Sequence, residues 1–192
     1  MIRIILLTII ILTTSSCTHH VQDAPSELNH LALHDRRPIE IIETDKTIEQ
    51  DSYEELQEQA ELTAASMIRI KAYNKTVLVA GVALNQKVKN DIITTIRNIN
   101  DVKLVHDHIA LEQLPQPETL YNDEQINNAI LSALNQIQTL PDFEPQMVKV
   151  VTVQSTAYLM GQLHRNEGQV VINVVRHVPN INKIIALFEY LD

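Results

Sequence analysis

The chain has 192 residues, a formal charge of −9, 45% hydrophobic and 4% aromatic residues, and no tryptophan. It lacks the clustered lysine and arginine that phosphate contacts require, which excludes a nucleic-acid binder, and its acidic balance opposes attraction to an anionic membrane surface. With so few aromatics, any core must be aliphatic, built from isoleucine, valine and leucine.

In chain order the first segment is a processing signal. One basic residue, Arg3, precedes an apolar run that ends at Leu12 and is too short to span a bilayer as a permanent helix, as in a secretory signal. Thr13, Thr14, Ser15 and Ser16 then lead into Cys17, the only cysteine. The pattern resembles a bacterial lipobox, with Thr14 where leucine is usual. It implies cleavage after Ser16 and diacylglycerol on Cys17; the alternative is a plain cleaved signal with an incidental thiol. In lipoproteins of the enteric type aspartate after the cysteine is linked to inner-membrane retention, so the resemblance, with Thr18 in that place, implies the outer membrane. Residues 1–16 are therefore read as signal peptide and 17–46 as a lipidated flexible tether. The tether holds His19, His20, His30 and His34, but an unstructured tail does not supply the fixed geometry of a metal site.

The first folded unit is expected over 47–113. A helix over 47–62 starts at Thr47 and groups Ile48, Leu56 and Gln59 on one face with Tyr53 at its edge. Its remaining surface is acidic and reads as a solvated face, since no calcium-binding loop is present. From Met67 to Gly81, apolar and polar residues alternate, pause at Asn74 and Lys75, and run apolar into the glycine, which is a hairpin pattern. A helix over 88–98 and a strand over 102–111 follow. That strand carries His106 and His108, two imidazoles on one face without an evident third zinc ligand.

Pro115 and Pro117 stiffen a short connector. The second unit, 119–192, opens with a helix over 122–138 capped by Asn122 or Asp123. Ile126, Ile130, Ala133, Leu134 and Ile137 form its apolar stripe, and Pro141 ends it. A second hairpin runs from Met147 through Gln154 and Ser155 to Gly161. The stretch 169–178 is rich in β-branched residues and suits a strand by propensity, but its counterpart Ile92, Ile96 and Ile99 has helical spacing, so it is read as helix. The closing strand repeats the first unit: Val102, Val105, Ile109 and Leu111 match Ile181, Ile184, Phe188 and Tyr190. Only three glycines exist in the chain, and two of them end matching hairpins. The chain therefore contains a duplication.

Each unit is thus α-β-β-α-β, giving an α+β fold of two tandem units, each a three-stranded mixed sheet packed against two helices. At about 65 to 75 residues, a unit alone has a marginal core. The hairpin ending Val77-Leu78-Val79-Ala80-Gly81, its copy Ala157-Tyr158-Leu159-Met160-Gly161, and the closing Ile181, Ile184 and Phe188 resemble the BON domain. Signal, tether and two units together resemble dual BON-domain outer-membrane lipoproteins. The resemblance implies a non-enzymatic, periplasm-facing lipoprotein whose second BON unit binds membrane phospholipid and supports envelope integrity. An alternative is an adaptor that docks on outer-membrane assembly or cell-wall proteins. No catalytic constellation, cofactor site or metal site is read in the chain.

In the resembled family the first helix of the second unit contacts anionic lipid through basic and aromatic side chains. Here its outer face carries Gln125, Asn127, Asn128, Leu131, Ser132, Asn135 and Gln138, without a basic or aromatic residue. Gln125, Asn128, Leu131, Ser132 and Asn135 are accordingly the candidate lipid- or partner-binding residues, and weak, salt-insensitive binding is expected. Gly81 and Gly161 are expected at structural turns. Each should matter chiefly to its own unit, with coupling between the units limited to the interface that the proline linker permits.

Overall fold

The computed structural model describes residues 35–192. Cys17, the signal and the histidines of the tether lie outside the described residues. The elements are α1 (Ile39–Gln57), α2 (Ala60–Ala64), β1 (Ser66–Tyr73), β2 (Thr76–Ala83), α3 (Gln86–Arg97), β3 (Leu104–Leu111), α4 (Pro117–Leu134), a 3-10 turn (Pro145–Met147), β4 (Val148–Val153), β5 (Thr156–Leu163), α5 (Arg165–Arg176) and β6 (Lys183–Tyr190).

Ordered structure begins earlier than position 47, inside the segment expected to be tether. Pro38 leads directly into α1, whose buried stripe is Ile42, Asp45, Ile48, Ser52 and Leu56. Two of those five positions are polar, so apolar periodicity alone misses the first two turns. Gln59, with φ −104° and ψ 76°, leaves the helical region and separates α1 from the short α2. The helix of the second half is also displaced toward the amino terminus. Pro117 occupies its first turn, where a missing N–H costs nothing, and the helix ends at Leu134.

Both sheets have the same topology. β1 is antiparallel to β2 and β3 returns parallel to β2, while β4, β5 and β6 repeat this arrangement. Each hairpin turns through two residues with positive φ, Asn74 and Lys75 in the first, Gln154 and Ser155 in the second. None is glycine, so the left-handed conformation needs support. A buried helix carboxylate supplies it. Asp45 accepts from the N–H groups of Asn74 and Lys75 at 2.7 Å each, and Asp123 accepts from Gln154 at 2.7 Å and Ser155 at 2.8 Å. Asp123 is therefore not the helix cap its sequence position suggests.

The two hairpin glycines are inside strands and not at turns. Gly81 pairs with Ile68, and Gly161 with Val148. A Cβ on Gly81 would lie 2.1 Å from the Met67 carbonyl oxygen, and one on Gly161 would lie 2.6 Å from that of Met147. Close approach of the neighbouring strand, not turn geometry, excludes a side chain there.

One face of each sheet packs under its helices. Val77, Val79, Ile92, Ile96 and Ile109 belong to the first of these cores, and Leu159, Leu163, Val171, Val175 and Ile130 to the second. The opposite faces pack against each other. Tyr73, Leu78 and Ala80 meet Val151, Tyr158 and Met160 in a third core shared by the two halves. The molecule is layered helix, sheet, sheet, helix, and the units are not independent bodies held only by their linker.

Residues 35–37 add a polar strap to this shared core. Arg37 pairs with Asp35 at 2.7 Å and with Asp45, and its guanidinium lies 3.7 Å over the Tyr73 ring. The Tyr73 hydroxyl then accepts from the Gln162 N–H across the interface at 2.9 Å. Arg36 reaches the second half, where its two terminal nitrogens donate to Glu167 at 2.6 and 2.7 Å.

Candidate functional site

Helix α4 stands on the second sheet with Ile126, Ile130 and Leu134 buried. Gln125, Asn128, Leu131 and Ser132 are exposed on it, and Leu131 retains 38% of its surface. Asn135 caps its carboxyl end, its side-chain amide donating to the Leu131 carbonyl at 2.9 Å. These five residues do not share one depression. Ser132 borders a groove between α4 and α5, whereas Gln125, Asn128, Leu131 and Asn135 are not among the residues that line it.

That groove has a volume of about 640 Å³. Its floor is apolar, formed by Ala129, Ala133 and Ile137 on one side and Val170, Val174 and Val178 on the other, and Gln136, Asn173 and His177 stand among its polar lining. The volume falls within the usual range for a small-molecule or acyl-chain site. Among the described residues no lysine, arginine, aspartate or glutamate lines it, so it offers an apolar surface with neutral hydrogen-bonding groups.

The α5 wall is a site element that sequence reading missed. Val171 and Val175 are fully buried, and Val170 and Val174 lie beside them, half-buried on the groove flank. An apolar stripe wider than the core requires was the available signal. Local hydrogen bonds hold the wall in place. Glu167 accepts from the His164 N–H at 2.8 Å, satisfying a free donor of the first turn, while Arg36 holds the same carboxylate from outside. The hydrogen bond from Arg36 keeps the Glu167 carboxyl below its ordinary value of 4.5.

His106 and His108 share a sheet face with ring centroids 6.5 Å apart, and His108 lies 5.1 Å from the Tyr158 ring. Burial against the opposing sheet, followed by the neighbouring His106, pushes the His108 imidazole below its ordinary value. Asp107 points elsewhere, to Lys89 at 3.1 Å and the Ile109 N–H at 3.0 Å. Among the described residues no group of three metal-binding side chains forms. Burial, with the nearby Asp35 carboxylate, pushes the Tyr73 hydroxyl up to about 12, so it remains a protonated structural group. No helix of the described residues is long and apolar enough to cross a membrane.

Comparison with known proteins fits this architecture. The BON domain profile matches residues 44–113, from within the first helix through the third strand. The outer membrane lipoprotein DolP of Haemophilus influenzae is 19% identical over 148 residues, 77% of this chain and 75% of that one. The 21 kDa hemolysin of Actinobacillus pleuropneumoniae is 24% identical over the same shares. Among solved structures, CdsD, a structural protein of the type III secretion system of Chlamydia trachomatis, covers 74% of this chain and 91% of its own at 13% identity. Its TM-score is 0.31, too slight a likeness to carry fold or function. The BON domain match thus falls on residues 44–113, and the chain as a whole is similar to an outer membrane lipoprotein.

Proposed function

We propose that this chain is a lipid-anchored, periplasm-facing lipoprotein of the outer membrane, built from two tandem BON units. Its second unit binds phospholipid without catalysis and so supports envelope integrity. The BON match over 44–113, the repeated sheet topology of the second half and the name of the Haemophilus influenzae relative support this reading. Cys17, at the end of an apolar signal, supplies the attachment point.

The observation that carries the proposal is the groove between α4 and α5. Ala133, Ile137, Val170 and Val174 present a surface that releases water when an acyl chain enters, and Ser132, Gln136 and Asn173 meet a headgroup by hydrogen bonds. Without a lysine or arginine in the lining, anionic headgroups gain nothing there over neutral ones.

The test is sedimentation of the chain carrying Cys17→Ser, which removes its own anchor, with phosphatidylcholine vesicles. Binding is expected to be modest and unchanged from low to high salt, and Val174→Asp, which places a charge on the groove wall, should weaken it about tenfold or more. Strong binding to anionic vesicles that collapses with salt, or binding indifferent to Val174→Asp, would count against this site.

A further inference from the structure

The hydrogen bonds of the two halves align α1 with α4. Asp45 and Asp123 perform the same task on their hairpin turns, and Ile48 and Leu56 are buried as Ile126 and Leu134 are. Glu49 therefore corresponds to Asn127, and Tyr53 to Leu131. In each hairpin the pair that closes the turn, Tyr73 with Thr76 or Val153 with Thr156, exchanges main-chain hydrogen bonds within the ladder. Alternate residues then direct their N–H and C=O groups to the free edge. These are Ile70 and Ala72 on β1, and Val150 and Thr152 on β4.

The first half closes its edges. The Ala72 N–H donates to Glu49 at 2.9 Å, and the Ile70 N–H donates to the Tyr53 hydroxyl at 2.8 Å. On the far strand, Lys89 donates to the Ile109 carbonyl at 2.6 Å and Asp107 accepts from the Ile109 N–H. On β4 the equivalent closures are missing among the described residues. The Asn127 side chain meets the Thr152 hydroxyl at 3.3 Å, and Leu131 has no acceptor to offer Val150. An edge strand with open main-chain groups is a template for another strand, and proteins ordinarily block such edges.

A cleft of about 390 Å³ lies beside this edge. Tyr53, Arg69 and Lys71 line one side, and Glu124, Asn127, Val150 and Thr152 line the other. Lys71 is paired with Glu49 at 2.9 Å, but Arg69 is exposed and meets no carboxylate among the described residues. A cleft of that volume, walled by the chain's own first half, admits a single strand but not a folded sheet of a second copy. Val150 offers a donor and an acceptor side by side, which the N–H and C=O of an extended peptide match and a phosphatidylcholine headgroup, having no N–H donor, does not.

We infer that the open edge of β4 receives an extended segment of a partner protein, added as a fourth strand of the second sheet, with an acidic side chain directed to Arg69. The site lies on the flank of α4 away from the groove and does not depend on lipid binding.

The test uses the full chain in detergent and a capped hexapeptide of alternating valine and aspartate, with affinity read by calorimetry and amide protection by hydrogen exchange. The peptide should slow exchange at Val150 and Thr152. Val150→Pro removes only the outward N–H, a position where an edge strand tolerates proline, and Leu131→Tyr installs the hydroxyl closure that the first half uses. Each should keep the wild-type melting temperature and lower affinity about tenfold. Arg69→Ala should weaken this peptide but not one alternating valine and threonine. Undiminished binding by both Leu131→Tyr and Val150→Pro would overturn the assignment, as would no binding by the wild type or protection on β6 instead. Protection of β4 produced by phosphatidylcholine vesicles, or by self-association without peptide, would overturn it equally.

Discussion

Gly81 shows how one hydrogen atom can be a structural requirement. Its φ of +153° is rarely adopted by side-chain-bearing residues, and a Cβ there would lie 2.1 Å from the Met67 oxygen and 2.7 Å from the Ile68 Cα. Backbone atoms cannot move aside as a flexible side chain can. Gly161 meets the Met147 oxygen at 2.6 Å, and its next contacts are at 3.5 Å or beyond. Gly81→Ala should therefore cost more than about 3 kcal/mol and Gly161→Ala roughly half as much, measured by urea unfolding. Equal losses would show that strand approach is not what selects glycine. The recurrence of the two glycines was legible in the sequence. Their role was not, because a hairpin pattern does not reveal the distance between facing strands.

At the scale of elements, each first helix is tied to its hairpin by one buried carboxylate. Asp45 and Asp123 are 3% exposed, and each satisfies two main-chain donors of a turn that contains no glycine. Removing Asp123 leaves the N–H groups of Gln154 and Ser155 without that acceptor. Asp123→Ala should destabilise by roughly 2–3 kcal/mol, and Asp123→Asn by less, since a carboxamide oxygen can still accept. Chemical denaturation of the two variants checks this order, and equal losses would argue against a hydrogen-bonding role. Buried polar residues explain the misplaced helix boundaries. Asp45 and Ser52 interrupt the apolar stripe of α1, and Asp123 resembles a cap while lying nearly two turns inside α4. Hydrophobic spacing identified both helices, but it cannot register a polar residue whose partner is a distant turn.

Across the whole molecule, the shared core and the strap at residues 35–37 couple the halves, so unfolding should be a single transition. The Arg36–Glu167 pair has a pH signature. Glu167 titrates below its ordinary value when folded, so its stabilising contribution is full above about 4.5 and is lost as pH falls through the lower folded value. Half-buried His108 acts in the same direction, since its folded value lies below 6.5 and protonation below that pH favours unfolding. Glu167→Gln should lower the melting temperature at neutral pH and flatten its fall on acidification below about 4.5. A variant with an unchanged acid profile would show that the pair contributes nothing. The duplication, the order of elements and the aliphatic cores were all determined by the sequence, because apolar periodicity and turn residues are local properties of a chain. Only the tertiary structure decided that the two sheets face each other, that Tyr73, Val151 and Tyr158 form a third core, and that α5 completes a groove with α4. Those outcomes depend on which apolar face meets which. In a strand buried on both sides, such as β2, the sequence is continuously apolar and does not name the partner of either face.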